Sequence, residues 1–275
     1  MRSQATNKNN RQSVTDPASE VAVISISQAT TATFTDLYFQ HTFLFFIQVG
    51  SKRVLCPING ELIGYADEVI IFPPGSIVTL ENRPVLNADY RAVGVCFPHH
   101  MVEAVFSNEN SHAGSPGIQI LQAADQSPQI LNAIQTTLSD TQLPDPIKQH
   151  RLLEPLIWLK YNGIYLSPYA DENPLSEVRR LIETDLSYPW RSNDVAEHFA
   201  ISEATMRRWL AKSGQGFSKI LHNTRLEHGL SLLQATDISI SDIALDCGFK
   251  SPSHFSDSFK KRFGIKPSQI RKMED

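Results

Sequence analysis

The clearest hydrophobic pattern in the chain is an aromatic stripe near its C-terminal end. Phe255, Phe259 and Phe263 recur every four residues with polar side chains between them, which predicts an amphipathic helix. Ser251 and Pro252 predict its start, because serine caps free N–H groups and proline at the first helical position removes a donor that has no partner there. The outward face of this helix would carry Ser253, Ser256, Asp257, Lys260 and Lys261.

A second helix comes just before this one and is joined to it by a tight turn. Ser239 predicts its cap, with Asp242 three residues later, an arrangement that satisfies N–H groups at a helix start. Ala244 falls on its buried face, where a large side chain would not fit between two closely crossing helices. Gly248 then supplies the positive φ that the turn requires. Together these positions predict a helix-turn-helix unit.

The same pattern occurs 48 positions earlier, around Ala196. Residues 192–199 predict the supporting helix, and Ser202 predicts the cap of the helix that follows. Ala200 occupies the turn position where the second copy has glycine, so we expect backbone strain there. The apolar spacing of residues 217–233 predicts one helix between the two copies. The outward face of the helix after Ser202 would carry Ala204, Thr205, Arg207, Arg208 and Lys212.

A repeated helix-turn-helix pattern is typical of proteins that read duplex DNA. Two such helices held about 34 Å apart, one turn of B-DNA, can enter successive major grooves on the same face of the duplex. The simpler alternative is an all-α bundle, because capped amphipathic helices are common. The caps, the turn residue and the small buried residue occur together at matched offsets, and this combination favours double-stranded DNA as the partner.

The repeat also carries the residues of a known family. Over about residues 174–275 the chain resembles AraC/XylS-type bacterial transcription activators, and it could belong to their enteric virulence-activator branch. The resemblance implies a sequence-specific regulator, most simply a homodimeric activator that contacts RNA polymerase. The segments that carry it are Ile243-Ala244, Cys247-Gly248-Phe249, Phe255, the run from Phe259 to Gly264, and Pro267-Ser268 with Arg271.

The resemblance assigns base contacts to both outward-facing helices. Arginine can pair with both O6 and N7 of guanine, which makes Arg207 and Arg208 the strongest candidates. Lys260, Lys261 and Arg262 are expected to contact phosphates or to lie on a solvated face, and phosphate contacts position a protein without reading sequence. The implied base contacts come from Ala204, Arg207 and Arg208 in the first helix and from Pro252, Ser253, Ser256 and Asp257 in the second.

Net charge supports a DNA-binding C-terminal part only weakly. Residues 174–275 carry 15 basic and 13 acidic side chains, whereas the preceding residues carry 10 and 16. Because the excess of positive charge is small, we expect DNA affinity to need two subunits and to fall steeply as salt rises.

The N-terminal part has a β pattern. Short β-branched or aromatic runs are separated by turn residues, which is typical of a sandwich or small barrel. Residues 67–75 resemble the strand-and-turn segment of the cupin-like effector domains of this family. The predicted fold is a two-domain α+β protein with an N-terminal cupin-like β-barrel and a C-terminal all-α double helix-turn-helix domain. The predicted strands cover residues 21–26, 42–48, 53–55, 69–72, 77–80 and 90–97.

These patterns divide the chain into four segments. Residues 1–20 are rich in polar side chains and predict a disordered tail without an export signal. Residues 21–115 are the predicted barrel and residues 116–170 a helical linker or dimerisation region. Residues 174–275 are the predicted DNA-binding domain.

Two helices are predicted within the linker region, at residues 130–138 and 147–161. The second has an apolar face that is too rich for an isolated surface helix. Periodicity does not distinguish core from interface, so this face packs either on the barrel or on a second subunit. Its apolar residues are Leu152, Leu153, Leu156, Ile157 and Leu159.

A small barrel can enclose a ligand, and Phe34, Tyr38, Phe45 and Phe46 would then line the cavity or simply fill the core. We expect no cofactor other than a small-molecule effector such as a fatty acid, bicarbonate or another carboxylate. Family members that hold a fatty acid use a basic residue where this chain has Gly216. Candidate partners for the carboxylate are His41, Lys52, Arg53, Arg83, Arg91 and Lys219.

Two other classes compete with an effector-controlled regulator. A cupin-type enzyme would need two histidines one residue apart, whereas His99 and His100 are adjacent and would point to opposite faces of a strand. The sequence also has no phosphate loop or nucleophile elbow, so it predicts neither an enzyme nor a metal site. A regulator that acts through protein contacts alone stays open. Scattered cysteines and the absence of a long apolar run predict a cytoplasmic protein without a membrane segment.

Overall fold

The computed structural model describes residues 21–107, 117–122, 126–167, 173–211 and 213–271. The predicted tail and Lys212 lie outside these residues. Within them, a β-rich part is followed by an all-helical part, so the predicted two-part α+β fold is confirmed.

The strands of the β-rich part are β1 (Ala22–Gln28), β2 (Ala32–Phe39), β3 (Thr42–Val49), β4 (Ser51–Cys56), β5 (Gly60–Tyr65), β6 (Glu68–Phe72), β7 (Ser76–Arg83), β8 (Tyr90–Phe97) and β9 (Gln119–Gln122). They form a five-stranded sheet in the order β1-β8-β3-β6-β9 and a four-stranded sheet in the order β2-β7-β4-β5. All pairings are antiparallel. The predicted barrel takes the form of these two facing sheets.

Alternation along β3 shows what each face of the five-stranded sheet covers. Phe45 and Ile47 face the four-stranded sheet and share an apolar cluster with Val54 and Leu80. Phe46 points the other way, into a second cluster that it shares with the neighbouring helices. The five-stranded sheet is therefore the middle layer of the β-rich part.

The outer face of that sheet is covered by α1 (His99–Phe106), α2 (Ser127–Ser139) and α3 (Asp145–Tyr161). Leu152, Leu156 and Leu159 of α3 are buried there, so the core interpretation of this apolar face holds for these three residues. Ile157 lies on the other side of the helix and is 52% exposed. One face of α3 is therefore buried in the core, and a second apolar stripe of the same helix is exposed to solvent.

The C-terminal part consists of α4 (Pro174–Glu183), α5 (Ser192–His198), α6 (Glu203–Ala211), α7 (Phe217–Ala235), α8 (Ile240–Asp246), α9 (Pro252–Phe263) and a short 3₁₀ turn (Pro267–Gln269). The pairs α5–α6 and α8–α9 occupy the positions of the two predicted helix-turn-helix units. The single helix α7 lies between them, as predicted. In the described parts of the chain, no helix is long and apolar enough to cross a bilayer.

The sequence patterns do not predict all of the strands that the structure contains. β2 and β5 mix polar side chains with apolar ones, so strand propensity alone does not reveal them. Within β2 the pairing shifts at a bulge, where Asp36 has a positive φ of 52°. His99 and His100 begin helix α1 instead of lying in a strand, so the argument from opposite strand faces was wrong.

The two parts of the protein share one continuous core. Phe34 of β2 contacts Phe263 of α9 edge-on, with 5.4 Å between the ring centroids. Both rings belong to the apolar cluster that fills the space between the sheets. A main-chain bond supports this contact, because the Ala29 N–H donates to the Ile270 carbonyl at 3.3 Å. The β-rich part therefore packs directly on the second helix-turn-helix unit.

Candidate DNA-binding surface

The two helix-turn-helix units have the same turn. In both, the residue after the turn position donates its N–H to the carbonyl of the buried alanine at 2.9 Å, from Ile201 to Ala196 and from Phe249 to Ala244. The turn residue itself has a left-handed backbone, with φ of 52° at Ala200 and 73° at Gly248. The structural repeat therefore has the offset that the sequence predicts, and the expected strain lies at Ala200.

Close backbone approaches explain two glycines of the second unit. A Cβ at Gly248 would lie 2.3 Å from the Leu186 carbonyl oxygen, which also accepts a 2.9 Å hydrogen bond from Arg225 Nε. A Cβ at Gly229 of α7 would lie 2.7 Å from the ring of Phe255. Glycine within a helix costs about 1 kcal/mol relative to alanine, and here the close approach of α9 to α7 offsets that cost.

Serine caps begin both outward-facing helices. Ser202 Oγ accepts a hydrogen bond from the Thr205 N–H at 3.1 Å, and Ser251 Oγ accepts one from the His254 N–H at 3.2 Å. Each cap satisfies an N–H group that has no partner within its helix. Both starts therefore lie where the sequence predicts them.

We expect Ser251→Ala to lower the free energy of unfolding by about 1 kcal/mol, because it removes the cap of α9. Urea denaturation followed by circular dichroism measures this loss. Ser253→Ala, at an exposed position of the same helix, is the matched control and should stay within about 0.5 kcal/mol of the parent. An equal loss from both substitutions would show that the Ser251 hydroxyl is not the stabilising group.

The outward face of α6 is exposed. Ala204, Thr205, Arg207 and Arg208 all lie on it. Among the described residues, neither arginine has a carboxylate within ion-pair distance, and Arg208 Nη2 makes one long contact of 3.5 Å with Thr205 Oγ1. Both guanidinium groups can therefore meet a ligand without breaking an internal ion pair. Their contact with DNA stays a prediction.

On α9 the structure exposes most of the predicted contact residues. Ser256 is half-buried and has the least surface to offer a ligand. Lys212, the remaining predicted contact of the first unit, lies outside the described residues. The exposed positions are Pro252, Ser253, Asp257, Lys260 and Lys261.

Arg262 is largely buried, so the prediction that it contacts phosphate or lies on a solvated face was wrong. Its Nη1 donates to the Asn223 carbonyl at 2.8 Å, and its Nη2 pairs with one carboxylate oxygen of Glu227 on α7. Arg179 of α4 pairs with the other oxygen of the same carboxylate. This triad of Arg179, Glu227 and Arg262 ties three helices together.

Strand β2 closes over the triad from the β-rich part. The Tyr38 ring lies over the Arg179 guanidinium, with 4.7 Å between its central carbon and the ring centroid. The Asp36 carbonyl accepts a 3.3 Å hydrogen bond from Arg262 Nη2. Sequence spacing gives no signal for these contacts, because they join residues that are far apart in the chain.

An apolar groove of about 500 Å³ lies beside α6. Its aromatic wall is formed by Phe199 and Trp209, whose rings meet edge-on with 5.2 Å between centroids. The exposed guanidinium of Arg208 therefore stands next to an apolar surface. The residues that line the groove are Phe199, Ile201, Thr205, Arg208 and Trp209.

The structure does not bring the six candidate effector residues into one site, although Arg53 and Arg83 lie near each other beside Glu61 and Glu81. Lys52 points between the sheets and is 1% exposed. The others lie elsewhere, with Arg53 and Arg83 in ion pairs with Glu61 and Glu81, Arg91 and Lys219 in solvent, and His41 half-buried. Within the described ranges, no three His, Cys, Asp or Glu side chains are grouped closely enough to hold a metal ion.

Comparison with known proteins identifies the helical part. A family model described as a helix-turn-helix domain matches residues 195–273. The HTH-type transcriptional regulator YdeO of Escherichia coli is 31% identical over 96 residues, which are 35% of this chain and 38% of that protein. The C-terminal part therefore contains a helix-turn-helix domain, which we call the AraC-type domain after the resemblance in its sequence.

A second relative of the AraC-type domain comes from a pathogen. The TCP pilus virulence regulatory protein of Vibrio cholerae is 26% identical over 110 residues, which are 40% of this chain and 39% of that protein. The chain thus covers about two fifths of the length of these curated relatives.

Solved structures of ToxT from Vibrio cholerae share the fold over most of the chain. An apo ToxT variant aligns over 90% of this chain and 95% of its own length, with a TM-score of 0.65 and 17% identity. Wild-type ToxT with a bound unsaturated fatty acid gives a TM-score of 0.62 and 18% identity. Because the alignments cover about nine tenths of this chain, the shared fold includes both its β-rich part and its helical part.

Proposed function

We propose that this protein is a sequence-specific DNA-binding transcription regulator in which α6 and α9 enter adjacent major grooves of one duplex. The observation that carries the proposal is the pair of equivalent helix-turn-helix units, whose outward faces are exposed while their inward faces are buried in the core. Arg207 and Arg208 are the proposed guanine readers. The apolar groove beside Arg208 suits contact with a thymine methyl group.

Helix α9 carries side chains for two kinds of DNA contact. Asp257 is exposed and can accept a hydrogen bond from cytosine N4, whereas it would repel a phosphate. Lys260 and Lys261 follow it on the exposed side and supply positive charge for the backbone. We therefore assign base reading to the start of α9 and phosphate contact to its end.

The proposal extends to an activator that contacts RNA polymerase in the bacterial cytoplasm, where promoter DNA lies. Its support is the regulatory role stated in the names of the relatives, a transcriptional regulator and a virulence regulatory protein. Those names favour a regulator over a cupin-type enzyme fused to a DNA reader.

We also propose that two copies associate through the α3 stripe, formed by Ile147, Arg151, Glu154, Ile157 and Tyr161. Its three apolar members are exposed, at 47% for Ile147, 52% for Ile157 and 89% for Tyr161. In an antiparallel pair about a two-fold axis, Ile147 of one copy meets Ile157 of the other, and Arg151 meets Glu154. The α3 stripe can therefore pair with a second copy of itself through apolar contacts and opposite charges.

We expect Ile157→Glu to weaken self-association about tenfold or more, because it adds a charge at an apolar contact of the α3 stripe. Sedimentation velocity over a range of protein concentrations measures the monomer–dimer equilibrium. Lys148→Met changes the same helix outside the stripe and should leave the equilibrium unchanged. If Ile157→Glu has no effect, the subunits meet elsewhere.

The proposed effector is a small apolar carboxylate bound by the β-rich part. Its support is the fold shared with ToxT, which has been solved with an unsaturated fatty acid, and the aromatic side chains packed between the sheets, which would have to move apart to admit a ligand. Phe39 and Phe72 stack there with 4.5 Å between ring centroids. Native mass spectrometry of the purified chain would reveal a co-purifying carboxylate, and DNA affinity that is unchanged by fatty acids and bicarbonate would favour regulation without an effector.

Selection from random duplex DNA with the full-length protein tests the proposed function. We expect an enriched site with two elements about 10 base pairs apart, one for each outward-facing helix. Binding should weaken steeply as salt rises. A folded protein that enriches no sequence at low salt would refute sequence-specific reading.

A further inference from the structure

A buried lysine connects the interior of the β-rich part to the AraC-type domain. Lys52 of β4 is 1% exposed, and its Nζ donates to Asn82 Oδ1 at 2.6 Å. Asn82 Nδ2 donates to Gln28 Oε1 at 3.0 Å, and the same oxygen accepts from Gln234 Nε2 of α7 at 3.0 Å. These four side chains, which we call the Lys52 relay, extend from between the sheets to the helix that separates the two helix-turn-helix units.

Lys52 has no acidic partner in the part of the chain that the structure describes. Its Nζ lies 4.6 Å from the ring centroid of Phe45 and 5.2 Å from that of Tyr90. Aromatic faces attract a cation, but they carry no net negative charge. Burial therefore lowers the pKa of Lys52 from its usual 10.5 to about 7. Near neutral pH the lysine is present in both charge states.

The other ionisable groups around the relay are uncharged near pH 7 or lie away from it. Tyr90 faces Lys52, and burial raises its pKa so that the hydroxyl stays protonated. On α7, burial lowers the pKa of His222 and of His228, so both are neutral near pH 7. The charged groups of the adjoining elements are exposed or have other partners, namely Asp36, Arg53, Glu61, Glu81, Arg83, Arg91, Lys219, Arg225, Glu227 and Arg271.

The AraC-type domain covers the end of the sandwich where the relay lies. Gln28 is fully buried at the end of β1, where it bonds to Gln234 of α7. Leu230 and Leu233 of α7 belong to the same apolar cluster as Tyr90. Separation of the two parts would therefore admit water to the relay and restore the ordinary proton affinity of Lys52.

Protonation of Lys52 has two opposing effects on this contact. A charged ammonium only donates, so it keeps the Asn82 carbonyl towards Lys52 and the Asn82 amide towards Gln28, which supports the closed relay. That support is worth about one net hydrogen bond, roughly a fivefold factor. The lowered pKa of the closed form corresponds to roughly a thousandfold loss of proton affinity. The lost hydration of the charge is therefore the larger of the two effects, and protonation destabilises the closed contact.

We propose that protonation of Lys52 opens the contact between the β sandwich and α7, so that acidification through neutral pH releases the AraC-type domain from the β-rich part. The sign follows from linkage, since protons bind more tightly to the open form and therefore favour it. The opening is independent of the proposed function. Its consequence for DNA binding rests on that function.

Hydrogen exchange of the Ala29 amide tests the opening, because this N–H donates across the contact to the Ile270 carbonyl. In the full-length protein, after correction for intrinsic exchange, we expect the open population to rise about thirtyfold between about pH 8.5 and about pH 6. Lys52→Met fills similar space without a charge and should abolish the pH dependence. Lys148→Met, a control on α3, should keep it. A wild-type open population that does not change with pH would overturn the proposal, as would the same change in Lys52→Met.

A measurement on the unaltered protein serves if Lys52→Met does not fold. The Cε resonance of Lys52 should titrate near neutral pH, and titration at the usual value of 10.5 would overturn the proposal. Gln234→Ala removes the last bond of the relay. It should increase the open population at all pH values and shift the Lys52 titration upward.

The effect on DNA is measured separately, with the site obtained by selection. Affinity of the wild-type protein should rise severalfold on acidification, and that of Lys52→Met should not. Opening without any change in affinity would refute the release of the reading helices while leaving DNA binding intact. Opening in a protein that enriches no site would instead refute the proposed function alone.

Discussion

Arg207→Ala should reduce discrimination against a change at one base pair of the selected site by about 1–3 kcal/mol. The physical reason is the loss of a guanidinium that pairs with two atoms of one guanine. Arg207 is exposed on α6, so its removal should leave the thermal midpoint unchanged. Fluorescence anisotropy with every single-base-pair variant of the site measures the effect, and the loss should fall at one position.

Lys261→Ala is the matched control for this substitution, because Lys261 is exposed near the end of α9 and is assigned to phosphate. It should weaken selected and random DNA alike and reduce the slope of the salt dependence by about one. If Arg207→Ala also costs the same on every sequence, base reading by the arginine of α6 is ruled out.

Lys52→Met should stabilise the protein below pH 7 by roughly 3–5 kcal/mol, since it removes a buried charge without an acidic partner. The Asn82 carbonyl then loses its hydrogen-bond donor, which reduces the expected stabilisation by about 1 kcal/mol. In the wild type, the cost of the charge is present in full below the folded pKa of about 7 and declines as pH rises towards 10.5, where the unfolded lysine also becomes neutral. The advantage of Lys52→Met should decline over the same interval.

Urea denaturation at several pH values between about 6 and about 10 measures this difference between the two proteins. A constant difference across the range would mean that methionine packs better than lysine for reasons unrelated to charge. A difference that is largest below about pH 7 and declines towards pH 10.5 would support the same lowered proton affinity on which the release of the AraC-type domain depends.

The elements that could be predicted are those with local causes. Caps, a turn residue and an aromatic stripe all act within a few residues, so the helix starts after Ser202 and Ser251 and the strain at Ala200 were found from the sequence. The strand at residues 90–97 was found for a similar reason, because its β-branched and aromatic side chains favour extended backbone.

The elements that could not be predicted depend on distant partners. Arg262 stands beside two exposed lysines, and nothing local distinguishes it from them, yet Glu227 holds it inside the protein. Lys52 was one of six basic candidates for an effector, and its burial follows only from the pairing of β4 with β7 and the packing of the facing sheet, where Phe45 and Tyr90 lie. A charged side chain in a sequence shows what it can bind, whereas its orientation is set by the fold.

The buried and the solvent-facing sides of α6 and α9 have different roles, and this difference has an evolutionary consequence. Core residues such as Phe255 and Met206 fix how the helices are mounted, and the solvent-facing residues contribute little to folding. Under the proposed function, descendants of this gene could therefore change their operator by exchanging a few surface residues, without compensating mutations in the interior.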